Sequence, residues 1–144
     1  MNLIYVENIN NIDVRDAYGV QFISADFGLY NDDDISIEDK QFLNEKYPDY
    51  LNKWKSCKWD GDCLIKDKTL YLVNRGHHLD LPTLESVEKS FLLCGITCVE
   101  KDIKKVVIHK SMIRDNLKEI DINPVIEYLN EIFANVYTEI YVIC

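Results

Sequence analysis

The chain carries no run of lysine or arginine, and its formal net charge is −9. Such a surface repels DNA and RNA unless a local basic patch overrides it, which argues against bulk nucleic-acid binding. No segment approaches the roughly eighteen consecutive apolar residues of a membrane span. The opening Met1-Asn2-Leu3-Ile4-Tyr5-Val6-Glu7 has no basic region leading into a long apolar stretch, so it does not read as a signal peptide. Repeats, low-complexity tracts and linkers are also missing, which predicts one domain over residues 1–144.

Cysteine is sparse and odd in number: Cys57, Cys63, Cys94, Cys98 and Cys144. An odd count without a secretion signal predicts reduced thiols and a cytoplasmic location. Four of them suggest a zinc set on paper, but the pairs have five and three intervening residues, and Cys94 and Cys98 stand four apart in an apolar, helix-like run. They read as buried packing thiols, and no metal or cofactor is assigned. What is present is globular: 144 residues, 47% apolar and 28% charged, enough for a sizeable core.

Strand-like runs fall at 3–6, 20–24, 63–66, 69–74, 105–109 and 139–143, and helix-like runs at 37–46, 83–99 and 124–134. Ser36 with Asp39 announces the first helix, Thr83 behind Pro82 the second, and Asn123 before Pro124 the third. Lys66-Asp67-Lys68 reads as a tight hairpin. Strands alternating with helices predict an α/β sheet covered on both faces.

The stretch from Leu70 to Phe91 is the most informative. Leu70, Leu72 and Val73 form a run too short for a helix, and Gly76 ends it. The following loop holds Asn74, Arg75, His77 and His78 within five residues, at the carboxyl end of a strand, where open α/β sheets bind ligands. A histidine pair in a loop reads first as solvated surface, and His109, on a strand, as structural.

This stretch resembles a segment of the macrodomain family, in the branch containing terminal ADP-ribose protein glycohydrolase and ADP-ribose-1''-phosphate phosphatases. Tyr71-Leu72-Val73-Asn74-Arg75 followed by Pro82-Thr83-Leu84-Glu85 is similar to the family's strand, its Thr-Lys-Lys-like loop and its Pro-Thr-Tyr-Glu helix opening. Upstream, Phe22-Ile23-Ser24-Ala25-Asp26-Phe27 resembles the family's Cys-Ile-Ser-x-Asp. The strand from Lys104 to Ile108, the helix from Val125 to Phe133 and the last strand from Glu139 to Ile143 follow in the family's order. The resemblance implies a single three-layer α/β/α macrodomain-like domain with a mixed central sheet of about six strands.

It also implies where the chain departs. The family cradles the diphosphate of ADP-ribose in two glycine-rich loops, because backbone N–H groups must approach phosphate closely. Here those loops read Leu29-Tyr30-Asn31-Asp32-Asp33-Asp34-Ile35-Ser36 and Ile113-Arg114-Asp115-Asn116-Leu117-Lys118. The three aspartates lack the spacing of an EF-hand and read as an acidic turn before the Ile37 helix. The family's adenine-binding aspartate has no counterpart in Glu7-Asn8-Ile9-Asn10, where Asn8 or Asn10 would substitute. An ungapped alignment puts Arg75 at the family's catalytic lysine and Lys118 at its catalytic aspartate. Arginine stays protonated, and lysine reverses the charge of the acid–base group, so loss of glycohydrolase chemistry is expected.

The expected role is therefore binding of an ADP-ribose-like nucleotide or nucleotide signal. The candidate ligand residues are Ser24, Asp26, Phe27, Tyr30, Asn74, Arg75, His77, Arg114 and Asn116, with Arg75 and Arg114 on phosphate and Phe27 or Tyr30 stacking on the base. The Asn-, Ile- and Asp-rich composition suggests an AT-rich genome, as in a phage or other virus, and a sequestering or sensing role. Two alternatives stay open. One is an active ADP-ribosyl hydrolase or ADP-ribose-1''-phosphatase rebuilt around Asp115, or Asp26 with His77. The other is a protein-binding domain with an acidic docking surface.

Overall fold

The computed structural model describes residues 3–27, 35–116 and 121–144. Six strands, β1 (Leu3–Val6), β2 (Tyr18–Ser24), β3 (Asp62–Lys66), β4 (Thr69–Arg75), β5 (Lys105–His109) and β6 (Glu139–Ile143), form one sheet in the order β1-β6-β5-β2-β4-β3. Every neighbouring pair is parallel except β3 with β4, which are joined as the predicted hairpin across Asp67 and Lys68. This is the mixed six-stranded sheet expected from the sequence.

Among the described residues five α-helices surround it: α1 (Ile37–Lys46), α2 (Tyr50–Ser56), α3 (Leu84–Glu100), α4 (Lys110–Asn116) and α5 (Ile122–Phe133). α3 and α5 bring Val87, Phe91, Cys94, Leu129 and Phe133 onto one sheet face, against Phe22, Leu70, Leu72, Val106 and Val142. Phe22 and Phe91 meet edge to face at 5.6 Å. α1 and α2 cover the other face with Leu43, Tyr50 and Trp54, against Ile23, Leu64, Tyr71 and Val73. Among the described residues no helix is long and apolar enough to cross a membrane.

The helix starts follow local chemistry. Ser36 Oγ accepts the Asp39 N–H, and Thr83 exchanges side-chain and backbone bonds with Ser86 in a capping box. The third start needs correcting. Asp121, not Asn123, caps α5: its Oδ1 accepts the Asn123 N–H at 3.0 Å, which places Asn123 inside the first turn together with Pro124. Proline is tolerated there because first-turn N–H groups have no helical partner anyway.

Strand order sets where a site can form. After β2 the chain goes to the edge strand β3 and returns through β4 on one side of β2, whereas after β5 it goes to β6, beside β1, on the other side. β2 and β5 pair only through Tyr18 with Val106 and Gly19 with Val107, so their carboxyl ends are free of each other. A reversal of strand order with diverging carboxyl ends is the crevice in which doubly wound sheets hold ligands.

Candidate functional site

Parallel pairing of β2 with β4 runs in step from Gly19–Thr69 to Ile23–Val73, and then Ser24 pairs with Arg75. Asn74 is the extra residue, so Arg75 takes the place beside Ser24 that an unbroken register would give Asn74. Bulges of this kind re-aim side chains and collect next to functional sites. Past the bulge the strands stay tied, with Ala25 N–H donating to Arg75 O at 2.8 Å and Asp26 N–H to Gly76 O at 3.1 Å. These bonds lock the turn after β2 to the loop after β4.

Asp26 sits at the centre and is 1% exposed. Its Oδ1 accepts the Ser24 hydroxyl at 2.5 Å, and its Oδ2 accepts the His78 backbone N–H at 3.0 Å. The same Oδ2 lies 3.2 Å from His78 Nδ1 and 3.8 Å from His77 Nε2. The two imidazoles lie 4.4 Å apart, centroid to centroid. Asp80 shapes their loop: it accepts the His77 N–H at 3.0 Å and donates its own N–H to His77 O at 2.9 Å. A carboxylate that positions an imidazole through Nδ1 leaves Nε2 as a base, as in hydrolytic triads.

Asn74 is buried beside this group. Its Oδ1 accepts from Arg75 Nη1 at 3.0 Å, while its Nδ2 is buried with no hydrogen-bond partner. Buried donors are nearly always satisfied, so an orphan one at a strand end marks a place for a ligand or water. A cavity of about 200 Å³ adjoins Ala25, Asp26 and Phe27 and reaches Asn44, Asp49 and Tyr50 on the α1–α2 side. Tyr50 stays protonated there: burial and the Asp62 carboxylate, which accepts its hydroxyl at 2.6 Å, raise its pKa far above the usual tyrosine value.

No protein-family model and no curated protein sequence matches the chain. Solved structures do. Against the macrodomain of Thermus aquaticus DarG the TM-score is 0.62 at 12% identity, over 99% of this chain and 97% of the other. Against the macrodomain of Mycobacterium tuberculosis DarG it is 0.63 at 13% identity, over 98% and 96%. The chain has the macrodomain fold.

Within this macrodomain fold, Ser24, Asp26, Asn74, Arg75 and His77 lie together at the carboxyl ends of β2 and β4. Phe27 lines the same cavity as Asp26, and it is 2% exposed and stacks on Tyr50 at 4.9 Å on the α1–α2 side. The segment beginning at Ile113 was expected as a loop, but residues up to Asn116 close α4 instead. Without glycine they continue as helix, with Ile113 in the core and Arg114 exposed in the last turn. Asp115 is exposed on the same turn. Asn8 spends its side chain capping a 3-10 turn by accepting the Asn10 N–H at 3.0 Å. Tyr30, the three aspartates at 32–34 and Lys118 lie outside the described residues.

His78, which the sequence reading placed in the candidate loop but not among the ligand residues, is the further member of the group. Its side chain is only 14% exposed and it holds Asp26 through both backbone and ring. The available signal was the adjacent histidine pair after a strand, which composition alone cannot separate from a solvated pair.

Proposed function

We propose that this macrodomain-fold chain binds an ADP-ribose-like nucleotide in the crevice at the carboxyl ends of β2, β4 and β5, in the cytoplasm, without glycohydrolase turnover. The observation that carries the reading is the convergence of buried Ser24, Asp26 and Asn74 beside the reversal of strand order, with Asn74 Nδ2 unsatisfied. Apolar interiors do not keep such groups without a polar occupant. Arg75 and Arg114 supply the positive charge that a chain of net charge −9 must concentrate to hold phosphate. Arg75 at the family's lysine position and Lys118 at its aspartate position argue for binding without hydrolysis. A sequestering or sensing role in a phage or virus fits a binder of this size.

Calorimetry and thermal melts with ADP-ribose test the reading. Ligand at about a hundred times its dissociation constant should stabilise the fold by roughly 2.7 kcal/mol, a shift of several degrees. Arg75→Ala and Arg114→Ala should each weaken binding by about 1.5–3 kcal/mol, as for a hydrogen bond to a charged group. Unchanged affinity in both variants would move the site and favour the protein-docking alternative. No ADP-ribose should be released from modified aspartate, glutamate or nucleobase substrates, and Arg75→Lys with Lys118→Asp should restore little.

A second reading, a hydrolase with a rebuilt site, has one observation in its favour: Asp26 lies beside two imidazoles, with His78 Nδ1 at 3.2 Å. Turnover by the unmodified chain that disappears in Asp26→Asn or Asp115→Asn would establish it.

A further inference from the structure

We infer that Asp26, His77 and His78 form a binding site for a divalent transition-metal ion of the zinc class. One donor atom from each lies within 4.8 Å of the other two, the only such group of three found among the described residues. A zinc-sized ion with bonds of about 2.0–2.1 Å holds tetrahedral donors about 3.3 Å apart. The 3.2 Å edge from Asp26 Oδ2 to His78 Nδ1 already has that length. The 3.8 Å edge to His77 Nε2 closes by about half an ångström on turning one half-exposed ring.

The donor chemistry selects the ion. Two imidazoles and one carboxylate suit zinc, cobalt, nickel or iron, whereas calcium and magnesium need oxygen ligands throughout. Three protein donors are also the number used by metal sites that keep a position for water or substrate.

The surroundings are those of a ligating carboxylate. Ser24 Oγ–H holds Asp26 Oδ1 at 2.5 Å, and the His78 N–H holds Oδ2 from the backbone, so the oxygen facing the rings is oriented before any ion arrives. The pairing of 25 and 26 with β4 fixes the carboxylate, and the Asp80 bonds fix the loop that carries both rings. Coordination through His77 Nε2 puts the ring proton on Nδ1 and releases the 3.3 Å contact from the Leu79 N–H. The hydrogen bond between His78 Nδ1 and Asp26 Oδ2 is likewise replaced, because both atoms then face the ion. The inference does not rest on the nucleotide reading, because metal uptake is measured without nucleotide.

The test uses the full chain, free of any histidine tag and stripped with chelator. Titration with Co²⁺ should saturate at one equivalent with visible d–d absorption and no thiolate-to-cobalt charge-transfer band. Zn²⁺ should abolish the spectrum by displacement. His77→Ala and His78→Ala lie outside both hydrophobic clusters and should keep the far-ultraviolet circular dichroism of the unmodified chain. Each should weaken Co²⁺ binding by more than the roughly 10–100-fold lost when only an outer partner of a ligand is removed. The absence of saturable uptake, affinity unchanged from the unmodified chain in either variant, or a thiolate charge-transfer band tracing the ion to the cysteines would each overturn the assignment.

Discussion

Asp39 shows how one side chain joins local and distant structure. Its backbone N–H is capped by Ser36, while its carboxylate pairs with Lys66 Nζ at 2.6 Å and accepts the Tyr71 hydroxyl. Lys66 first, and then Tyr71, hold the Asp39 carboxyl below the usual carboxylate range. Burial first, and then Asp39, push the Tyr71 hydroxyl well above the tyrosine value. A depressed folded-state value contributes stability that is present above the unfolded value of about 3.9 and lost as pH falls through the folded value. Asp39→Asn should therefore cost about 1–3 kcal/mol at neutral pH. Urea melts should show the gap to the unmodified chain narrowing below about pH 4, as the native carboxyl takes up its proton. A gap that stays constant into strong acid would mean that Asp39 acts through packing rather than charge. Cys94 and Cys98 are core residues at this scale: hydrogen bonding to Cys63 and Cys98 together with burial pushes the Cys94 thiol up, the sign of a packing thiol, while the hydrogen bond with Cys94 holds the Cys98 thiol down.

At the scale of elements, the boundaries that matter for the site are caps and bulges. Moving the α5 cap from Asn123 to Asp121 changes which mutation should hurt. Asp121→Ala should destabilise by about 0.5–2 kcal/mol through loss of the bond to the Asn123 N–H, whereas Asn123→Ala should change little. Thermal melts of the two variants separate them, and equal losses would restore Asn123 as the cap. The bulge at Asn74 works in the same local way: one extra residue in β4 sets Arg75 beside Ser24 and leaves Asn74 buried. α4 begins at the residue after β5 ends and continues through Ile113–Asn116, the start of the segment that the family resemblance matches to a glycine-rich loop.

For the molecule as a whole, one sheet separates two hydrophobic clusters, and β2 and β4 contribute to both: Phe22, Leu70 and Leu72 to one face, Ile23, Tyr71 and Val73 to the other. Neither cluster can lose its strands without exposing the other, so a single cooperative unfolding transition is expected. Phe91→Ala on the α3 face should cost about 3–5 kcal/mol and Leu43→Ala on the α1 face about 2–5, from lost burial and the cavity left behind. Because the sheet lies between them, the double variant should lose nearly the sum. Two separated transitions in denaturant, or a strongly non-additive double variant, would show that the faces are not linked in this way. The same sheet places the crevice, since the reversal between β5 and β2 puts the loops after β2 and β4 and the helix after β5 at one end.

Much of this architecture was legible in the chain. The six strands and three longest helices announce themselves through apolar runs, periodicity and caps such as Ser36 and Thr83, all of which act within a few residues of the backbone they organise. The order of segments resembling a macrodomain carried the topology as well. α2 and α4, seven residues each, are too short to leave a period, and they exist because Tyr50, Trp54 and Ile113 find a core to enter. Nor did Phe27 announce that it would turn inward onto Tyr50. The centre of the candidate site was the least legible part. Asp26 and His78 stand 52 positions apart; the sequence offers Asp26 as a ligand candidate and His78 as part of a solvated pair, and neither segment shows that the two touch. Their meeting depends on the register of β2 against β4 and on one bulged residue, and neither has a local signature, because strand pairing is decided by packing between segments that are distant in the chain.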